Sequence, residues 1–169
     1  MGREARIPAT VYCPRITSAL IAVLTVVALA AGLAAPADAA GGRGRKIHTA
    51  IAVAVHQKGD WYRFGADGPR RFDCSGLTQF AFGRAGLHLP RTSHEQARYA
   101  RRIKRRDMRP GDLMFFHTRR GRVYHVAIYT GRTRHGQRRM VHAPSPGRRV
   151  QTSVPWTSRW FAGTLRRHR

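Results

Sequence analysis

Apolar residues recur at helical spacing in three segments of the chain's first two thirds. Residues 47–59 form a short apolar stretch that ends at a glycine, which predicts a helix there. A second helix is predicted to start at Asp73, because an aspartate side chain accepts hydrogen bonds from the free N–H groups of a first helical turn. A third is predicted within residues 91–103, where Ser93 and Gln96 fit the pattern of a capping box.

Beyond residue 112 the apolar positions recur with a period of two, which is typical of β-strands. Turns rich in glycine and arginine separate these segments. The predicted strands are Leu113–His117, Tyr124–Thr130, Arg139–Ala143 and Arg148–Ser153. Helices followed by an antiparallel sheet indicate one α+β domain, and the sequence shows no internal repeat.

The first 39 residues have the layout of a secretory signal peptide. Arginines precede an apolar run from Ala19 to Ala35, and small residues follow at 37–39. The run is nearly long enough to span a membrane, so a retained anchor is the alternative. Pro36 and the small residues favour cleavage instead. Residues 40–46 (AGGRGRK) then predict a flexible basic lead-in, and residues 47–169 the folded domain.

The chain is strongly basic, with 32 Lys and Arg against 8 Asp and Glu and a formal net charge of +24. Such a charge attracts polyanions: nucleic acid, anionic lipid or an acidic cell-wall polymer. For an exported protein a wall polymer outranks nucleic acid, and the sequence has no base-stacking motif. The basic residues are scattered in short clusters, so a surface that is merely solvated is the alternative.

Cys13 and Cys74 are the two cysteines, and Cys13 is expected to leave with the signal peptide. An unpaired cysteine in an exported protein indicates a reactive thiol or an intermolecular bridge. A small buried hydrophobic residue is the alternative. At the predicted first turn of a helix, Cys74 lies near free N–H groups that stabilise a thiolate and an oxyanion. Its neighbour Asp73 opposes a second negative charge unless the carboxylate caps the helix.

Two of the nine histidines, His125 and His142, fall on neighbouring predicted strands. If Thr130 pairs with Gln137 across the turn, His125 stands directly opposite His142, at a Cβ separation of about 4.5–5.5 Å. One imidazole can then orient the other as a base for the thiol. The alternative is two strand histidines that face solvent, and a register slip of one residue would separate their faces.

A set of one cysteine and two histidines can also bind zinc. The sequence lacks the close C-x-x-C or H-x-x-x-H spacing that marks such sites. We therefore expect nucleophilic chemistry without a metal, and we expect the other histidines to be surface or packing residues.

Residues 50–154 resemble the NlpC/P60 family of papain-like cell-wall cysteine peptidases. The segment WYRFGADGPRRFDCSGLTQFAF resembles the family's tyrosine loop and nucleophile motif, and LPRTSHEQAR resembles the segment that follows. RPGDLMFFHT and YHVAIYTG resemble two signature strands, and MVHAPSPGRRV resembles a third. The resemblance implies a papain-like α+β core, in which N-terminal helices that carry the cysteine pack on a mainly antiparallel sheet that carries the histidines.

The resemblance also implies a role for each matching residue. Cys74 corresponds to the nucleophile, His125 to the general base and His142 to the residue that orients this base. The positions expected to hold the oxyanion or bind substrate are Tyr62, Asp73, Ser75 and Ser93.

The function implied by the resemblance is hydrolysis of peptidoglycan stem peptides, typically between the γ-carboxyl of D-glutamate and diaminopimelate or lysine. We therefore expect a secreted, monomeric D,L-endopeptidase without a cofactor. Its expected partners are stem peptides and anionic wall polymers, with no nucleic acid and no stable membrane insertion. Two alternatives stay open: an amidase or transpeptidase that acts on another wall bond with the same residues, and a non-catalytic cationic wall-binding protein.

Overall fold

Three α-helices and eight strands make up residues 37–166, the part of the chain that the computed structural model describes. The helices are α1 (Ala37–His56), α2 (Cys74–Arg84) and α3 (Ser93–Tyr99), with a 3-10 turn at Arg105–Asp107. The strands are β1 (Trp61–Tyr62), β2 (Arg71–Phe72), β3 (Arg101–Ile103), β4 (Leu113–His117), β5 (Val123–Arg132), β6 (Arg138–His142), β7 (Gln151–Ser153) and β8 (Trp160–Thr164).

The predicted signal peptide, residues 1–39, lies outside the described residues except for its last three, which are the first residues of α1. None of the helices in the described range is long and apolar enough to cross a bilayer.

Six strands form one antiparallel sheet in the order β3-β8-β4-β5-β6-β7. β1 and β2 form a separate short parallel pair in the segment before α2. α2 and α3 pack on β5, near the middle of the sheet. Helices packed on an antiparallel sheet confirm the predicted α+β fold class.

Both faces of the central strands are buried, because different parts of the chain cover them. One face packs against the helices through alternate residues of β4 and β5: Leu113, Phe115, Val126 and Ile128. The other face carries the intervening residues, which pack with one side chain of β3 and one that follows the 3-10 turn: Met114, Phe116, Ala127 and Tyr129, with Ile103 and Met108. Residues 113–116, within the predicted strand Leu113–His117, are therefore buried at every position.

The cap of α3 differs from the predicted one. Thr92 is the N-cap: its hydroxyl accepts the Glu95 N–H at 3.2 Å, and the Glu95 carboxylate accepts the Thr92 N–H at 3.1 Å. The predicted capping box of Ser93 and Gln96 is wrong, because Gln96 is buried and donates to the Ser75 carbonyl at 3.0 Å. Gln96 therefore ties α3 to the first turn of α2.

Other differences from the predicted elements arise where long-range contacts decide local structure. Residues 40–46, expected as a flexible lead-in, are helical within α1. Residues 101–103, expected at the end of the third helix, instead pair with β8 as strand β3. The sequence pattern does not predict β8 itself, because its glycine and short length hide the alternation.

The register of the β5–β6 hairpin also differs from the predicted one. The ladder pairs Ile128 with Val141, which places His125 and His142 diagonally instead of directly opposite each other. The turn is shorter than predicted, and the ladder contains a bulge at Thr130. Together these changes shift the register by two residues. An even shift keeps both histidines on one face of the sheet.

Candidate active site

Cys74 is the first residue of α2, and the residues around it determine that position. Asp73 has an extended backbone (φ −90°, ψ 179°), and its carboxylate accepts the Gly76 N–H at 2.7 Å, which confirms the predicted N-cap. Gly76 has no room for a side chain, because a Cβ there would lie 2.2 Å from the carbonyl oxygen of Ala66. The Asp-Cys-Ser-Gly sequence thus lets the helix begin in contact with the preceding loop.

The Asp73 carboxylate is held by other donors as well. Arg91 donates to both oxygens, at 3.0 Å to Oδ1 and 2.6 Å to Oδ2, and the Gly65 N–H reaches Oδ2 at 2.9 Å. Burial alone would raise the pKa of Asp73, but hydrogen bonds from Arg91 and Gly76 outweigh burial and lower this pKa. Asp73 is therefore ionised, and Arg91 compensates only part of the charge that opposes a thiolate at Cys74.

The thiol of Cys74 is free and lies against β5. Burial raises the pKa of this thiol, and the charge of Asp73 raises it further. The backbone N–H of Val126 donates to the sulfur and partly offsets the rise. Since Val126 follows His125 in the chain, this contact places the sulfur beside the backbone of the candidate base. The resting thiol is protonated at neutral pH and needs a base to become a nucleophile.

His125 and His142 are joined by a direct hydrogen bond, with 2.9 Å between Nε2 of His125 and Nδ1 of His142. Their rings are almost perpendicular, at 89°. Burial, followed by the neighbouring His142, lowers the pKa of His125 to about 3. Burial, followed by the charge of Arg148, lowers the pKa of His142 to about 4. Both rings are therefore neutral at neutral pH, and the first is able to accept a proton.

Ser153 of β7 extends this hydrogen-bonded pair to a chain of three groups. Its Oγ lies 3.0 Å from Nε2 of His142. Two arrangements of the ring protons satisfy both bonds. In one of them His142 donates to Ser153 and accepts from Nε2–H of His125, which leaves Nδ1 of His125 without a proton. This arrangement gives His125 a basic nitrogen on the side away from His142.

Trp156 covers the histidine pair from the loop between β7 and β8. Its indole lies 5.5 Å from the His142 ring at 22° and 5.2 Å from the His125 ring at 67°. It also stacks on Phe116, with 4.4 Å between centroids. The outer face of Trp156 stays in solvent, since the residue is 52% exposed. Trp156 thus supplies part of the burial that lowers both histidine pKa values.

The other predicted site residues, Tyr62, Ser75 and Ser93, differ in their contacts with Cys74 and Asp73. Tyr62 is half-buried, and its pKa is raised by burial and then by the charges of Cys74 and Asp73, so its ring belongs to the same cluster. The Ser75 hydroxyl donates to Asp73 at 3.1 Å and accepts from Arg91. Ser93, the first residue of α3, makes no side-chain hydrogen bond with any of these groups.

Sequence reasoning did not identify Arg91, Ser153 or Trp156 as site residues. Arg91 lies 18 positions from Asp73, and Ser153 reaches His142 only through the β6–β7 pairing. The residues 37–166 contain no group of three or more His, Cys, Asp or Glu side chains arranged to hold a metal ion.

A helix that starts at a cysteine and packs on an antiparallel sheet, whose neighbouring strands carry a histidine pair, is the arrangement of a papain-like α+β fold. The NlpC/P60 family model matches residues 59–169. The chain therefore belongs to the NlpC/P60 family.

Named relatives agree with this assignment. The chain is 46% identical over 81 residues to the probable endopeptidase p60 of Listeria monocytogenes, an alignment that covers 48% of this chain and 16% of p60. It is 40% identical over 89 residues to the bifunctional muramidase/DL-endopeptidase CwlT of Bacillus subtilis, which covers 51% and 27% of the two chains. The chain thus spans between a sixth and about a quarter of the length of these two curated relatives.

A solved structure of the same family has the same fold. The NlpC/p60 domain of the peptidoglycan hydrolase SagA superposes with a TM-score of 0.62 at 29% sequence identity. The superposition covers 70% of this chain and 98% of the SagA domain. The matched region is thus nearly a whole domain of the relative, which confirms the predicted architecture.

Proposed function

We propose that the chain is a cysteine endopeptidase that cleaves peptidoglycan stem peptides between the γ-carboxyl of D-glutamate and diaminopimelate or lysine. The observation that carries this proposal is the hydrogen bond between His125 of β5 and His142 of β6, together with the Val126 N–H of β5 that donates to the Cys74 sulfur. A nucleophile, a base and a group that orients the base are what covalent acyl transfer requires. Family membership supports the class of substrate.

In the proposed reaction, Nδ1 of His125 takes the thiol proton while the Cys74 sulfur attacks the carbonyl carbon of the scissile bond. The raised pKa of Cys74 and the lowered pKa of His125 disfavour a separated thiolate–imidazolium pair in the resting site. Proton transfer therefore accompanies the attack. The oxyanion is held by the N–H of Cys74 at the helix start and by the hydroxyl of Tyr62.

Breakdown of the tetrahedral intermediate follows from the same groups. His125 returns the proton to the leaving amine, so the C–N bond breaks and an acyl-enzyme remains on Cys74. Water then loses a proton to His125 and attacks the thioester, and the protonated imidazole restores the thiol. Ser93 is assigned to substrate binding, whereas Asp73 and Ser75, which are buried and hydrogen-bonded to each other, serve the site by holding the start of α2.

The same proposal includes export and retention. Residues 1–39 direct secretion, and the mature protein works as a monomer in the cell wall. Its basic surface attracts the anionic polymers that accompany peptidoglycan, so the enzyme stays near its substrate.

Purified muropeptides containing diaminopimelate or lysine test the activity, with products identified by mass spectrometry. The native chain should release fragments cut after D-glutamate, and a folded Cys74→Ala variant should release none. Cys74-dependent cleavage at another bond would replace the proposal with an amidase or transpeptidase. No cleavage by a folded native chain, with wall binding intact, would replace it with a cationic binding protein.

A further inference from the structure

An open groove of about 900 Å³ lies along β3, the 3-10 turn and β8. We call it the Arg105 groove. Basic side chains line it, and aromatic rings of β8 form part of its wall: Arg102, Lys104, Arg105, Arg106, Trp160 and Phe161. It involves none of the residues assigned to catalysis.

Two guanidinium groups at the groove are fixed in place before any ligand binds. Arg105 lies over the Trp160 ring at 4.0 Å and donates to the carbonyl oxygens of Ser158 and Trp160. Arg138 of β6 donates to the Arg105 carbonyl at 3.1 Å and lies 5.4 Å from the same ring. Fixed donors lose less side-chain entropy on binding a ligand than mobile ones do.

The positive charge of this groove is poorly compensated. Burial, together with the charge of Arg138, lowers the pKa of Arg105. Asp107 is the acidic side chain that approaches the lining residues, and it lies 3.8 Å from Arg106 with both side chains exposed. Such an exposed pair contributes little. An anion in the groove would relieve the repulsion between the arginines.

We infer that the Arg105 groove binds successive phosphate groups of an anionic phosphodiester polymer of the cell envelope. Planar guanidinium groups match phosphate oxygens with paired hydrogen bonds, and several cations along an open groove suit a polymer better than a single ion. That this polymer belongs to the cell envelope rests on the proposed function.

The covered aromatic rings argue against single-stranded nucleic acid. Proteins that bind single strands stack bases on free aromatic faces. Here Arg105 lies over Trp160, and Arg102 lies over Phe161 at 4.3 Å. A membrane surface fits poorly too, because none of the large exposed hydrophobic side chains within residues 37–166 lines the groove.

One loop connects the groove with the catalytic histidines. Trp156 covers the histidine pair, and two residues later the Ser158 carbonyl accepts a hydrogen bond from Arg105 at 2.6 Å. A polymer bound to the groove would therefore hold the catalytic centre at a fixed position relative to the wall.

The test measures binding of fluorescent poly(glycerol phosphate) to the chain at increasing salt. The variant Lys104→Gln/Arg106→Gln removes two exposed charges of the groove but keeps Arg105 and its anchoring bonds. The control Lys58→Gln/Arg98→Gln removes the same charges from exposed positions elsewhere. We expect the groove variant to bind about tenfold more weakly and to show a shallower salt dependence, while the control binds like the native chain.

Separate measurements test the endopeptidase activity and the binding of the polymer by the Arg105 groove. Cleavage of soluble muropeptides by the groove variant should match the native rate, and Cys74→Ala should bind the polymer normally. Equal weakening by both double variants would overturn the groove assignment, because it would show a diffuse effect of net charge. Tighter binding of polyglutamate, single-stranded DNA or anionic vesicles than of poly(glycerol phosphate) would overturn the choice of partner.

Discussion

The buried histidine pair should make the folded chain sensitive to mild acid. His125 and His142 have folded pKa values of about 3 and about 4, whereas a histidine in an unfolded chain has a pKa of about 6.5. Below pH 6.5 the unfolded chain therefore binds more protons, so stability falls as the pH decreases. The loss begins near pH 6.5 and continues until the folded rings themselves become protonated.

The size of this effect at pH 5 depends little on the folded values, because both lie below 5. Between pH 6.5 and pH 5, an interval of about 1.5 pH units, each ring is neutral in the folded chain but protonated in the unfolded chain. Each histidine therefore removes about 2 kcal/mol of unfolding free energy between pH 7 and pH 5, and the pair removes about 4 kcal/mol. His142→Gln eliminates one titrating ring but keeps a polar side chain beside His125, so its loss should be about 2 kcal/mol.

Urea unfolding at pH 7 and pH 5 measures the prediction directly. The change in unfolding free energy between the two pH values is compared for the native chain, His142→Gln and His88→Gln. His88 is exposed, so its variant should behave like the native chain. If the native chain and His142→Gln lose the same free energy, the burial of the pair is not what makes the fold acid-sensitive.

Further variants test the support of the site. Ser153→Ala should lower kcat about tenfold with little change in KM, because His142 loses its partner, and Ser153→Thr should restore the rate. Trp156→Ala should raise the pKa of the histidine pair. As the pH is lowered, kcat/KM of Trp156→Ala should therefore begin to decline at a higher pH than kcat/KM of Trp156→Phe. Gly76→Ala should destabilise the chain by about 3 kcal/mol in urea unfolding, whereas Gly83→Ala in the same helix, with open space around its Cβ, should be tolerated. An unchanged pH profile for Trp156→Ala would show that Trp156 does not lower the pKa values of the histidine pair.

Local sequence patterns were sufficient for the elements that carry the nucleophile and the base. Asp73 is a cap because of its own side-chain chemistry, and β5 (Val123–Arg132) contains the predicted strand Tyr124–Thr130 that carries His125. The histidine pair was predicted from a register that is wrong by two residues. The predicted shared face is nevertheless correct, because side chains on a strand alternate with a period of two and a shift of two residues leaves their faces unchanged.

Features that depend on distant partners were not predictable in the same way. Residues 101–103 have a helical pattern but become a strand because β8 supplies the hydrogen bonds. Arg91 reaches Asp73 only once α3 is packed against α2, and Ser153 reaches His142 only across the β6–β7 ladder. These contacts are set by tertiary geometry, so no spacing in the sequence indicates them.

The two edges of the six-stranded sheet bear on how the molecule behaves when crowded. Each edge strand, β3 or β7, has three residues, and β3 exposes Arg101 and Arg102. A strand from a second molecule could form only a short ladder of hydrogen bonds with either edge, and at β3 it would also meet two positive charges. Polymerisation through strand addition is therefore disfavoured even where many copies gather on one surface.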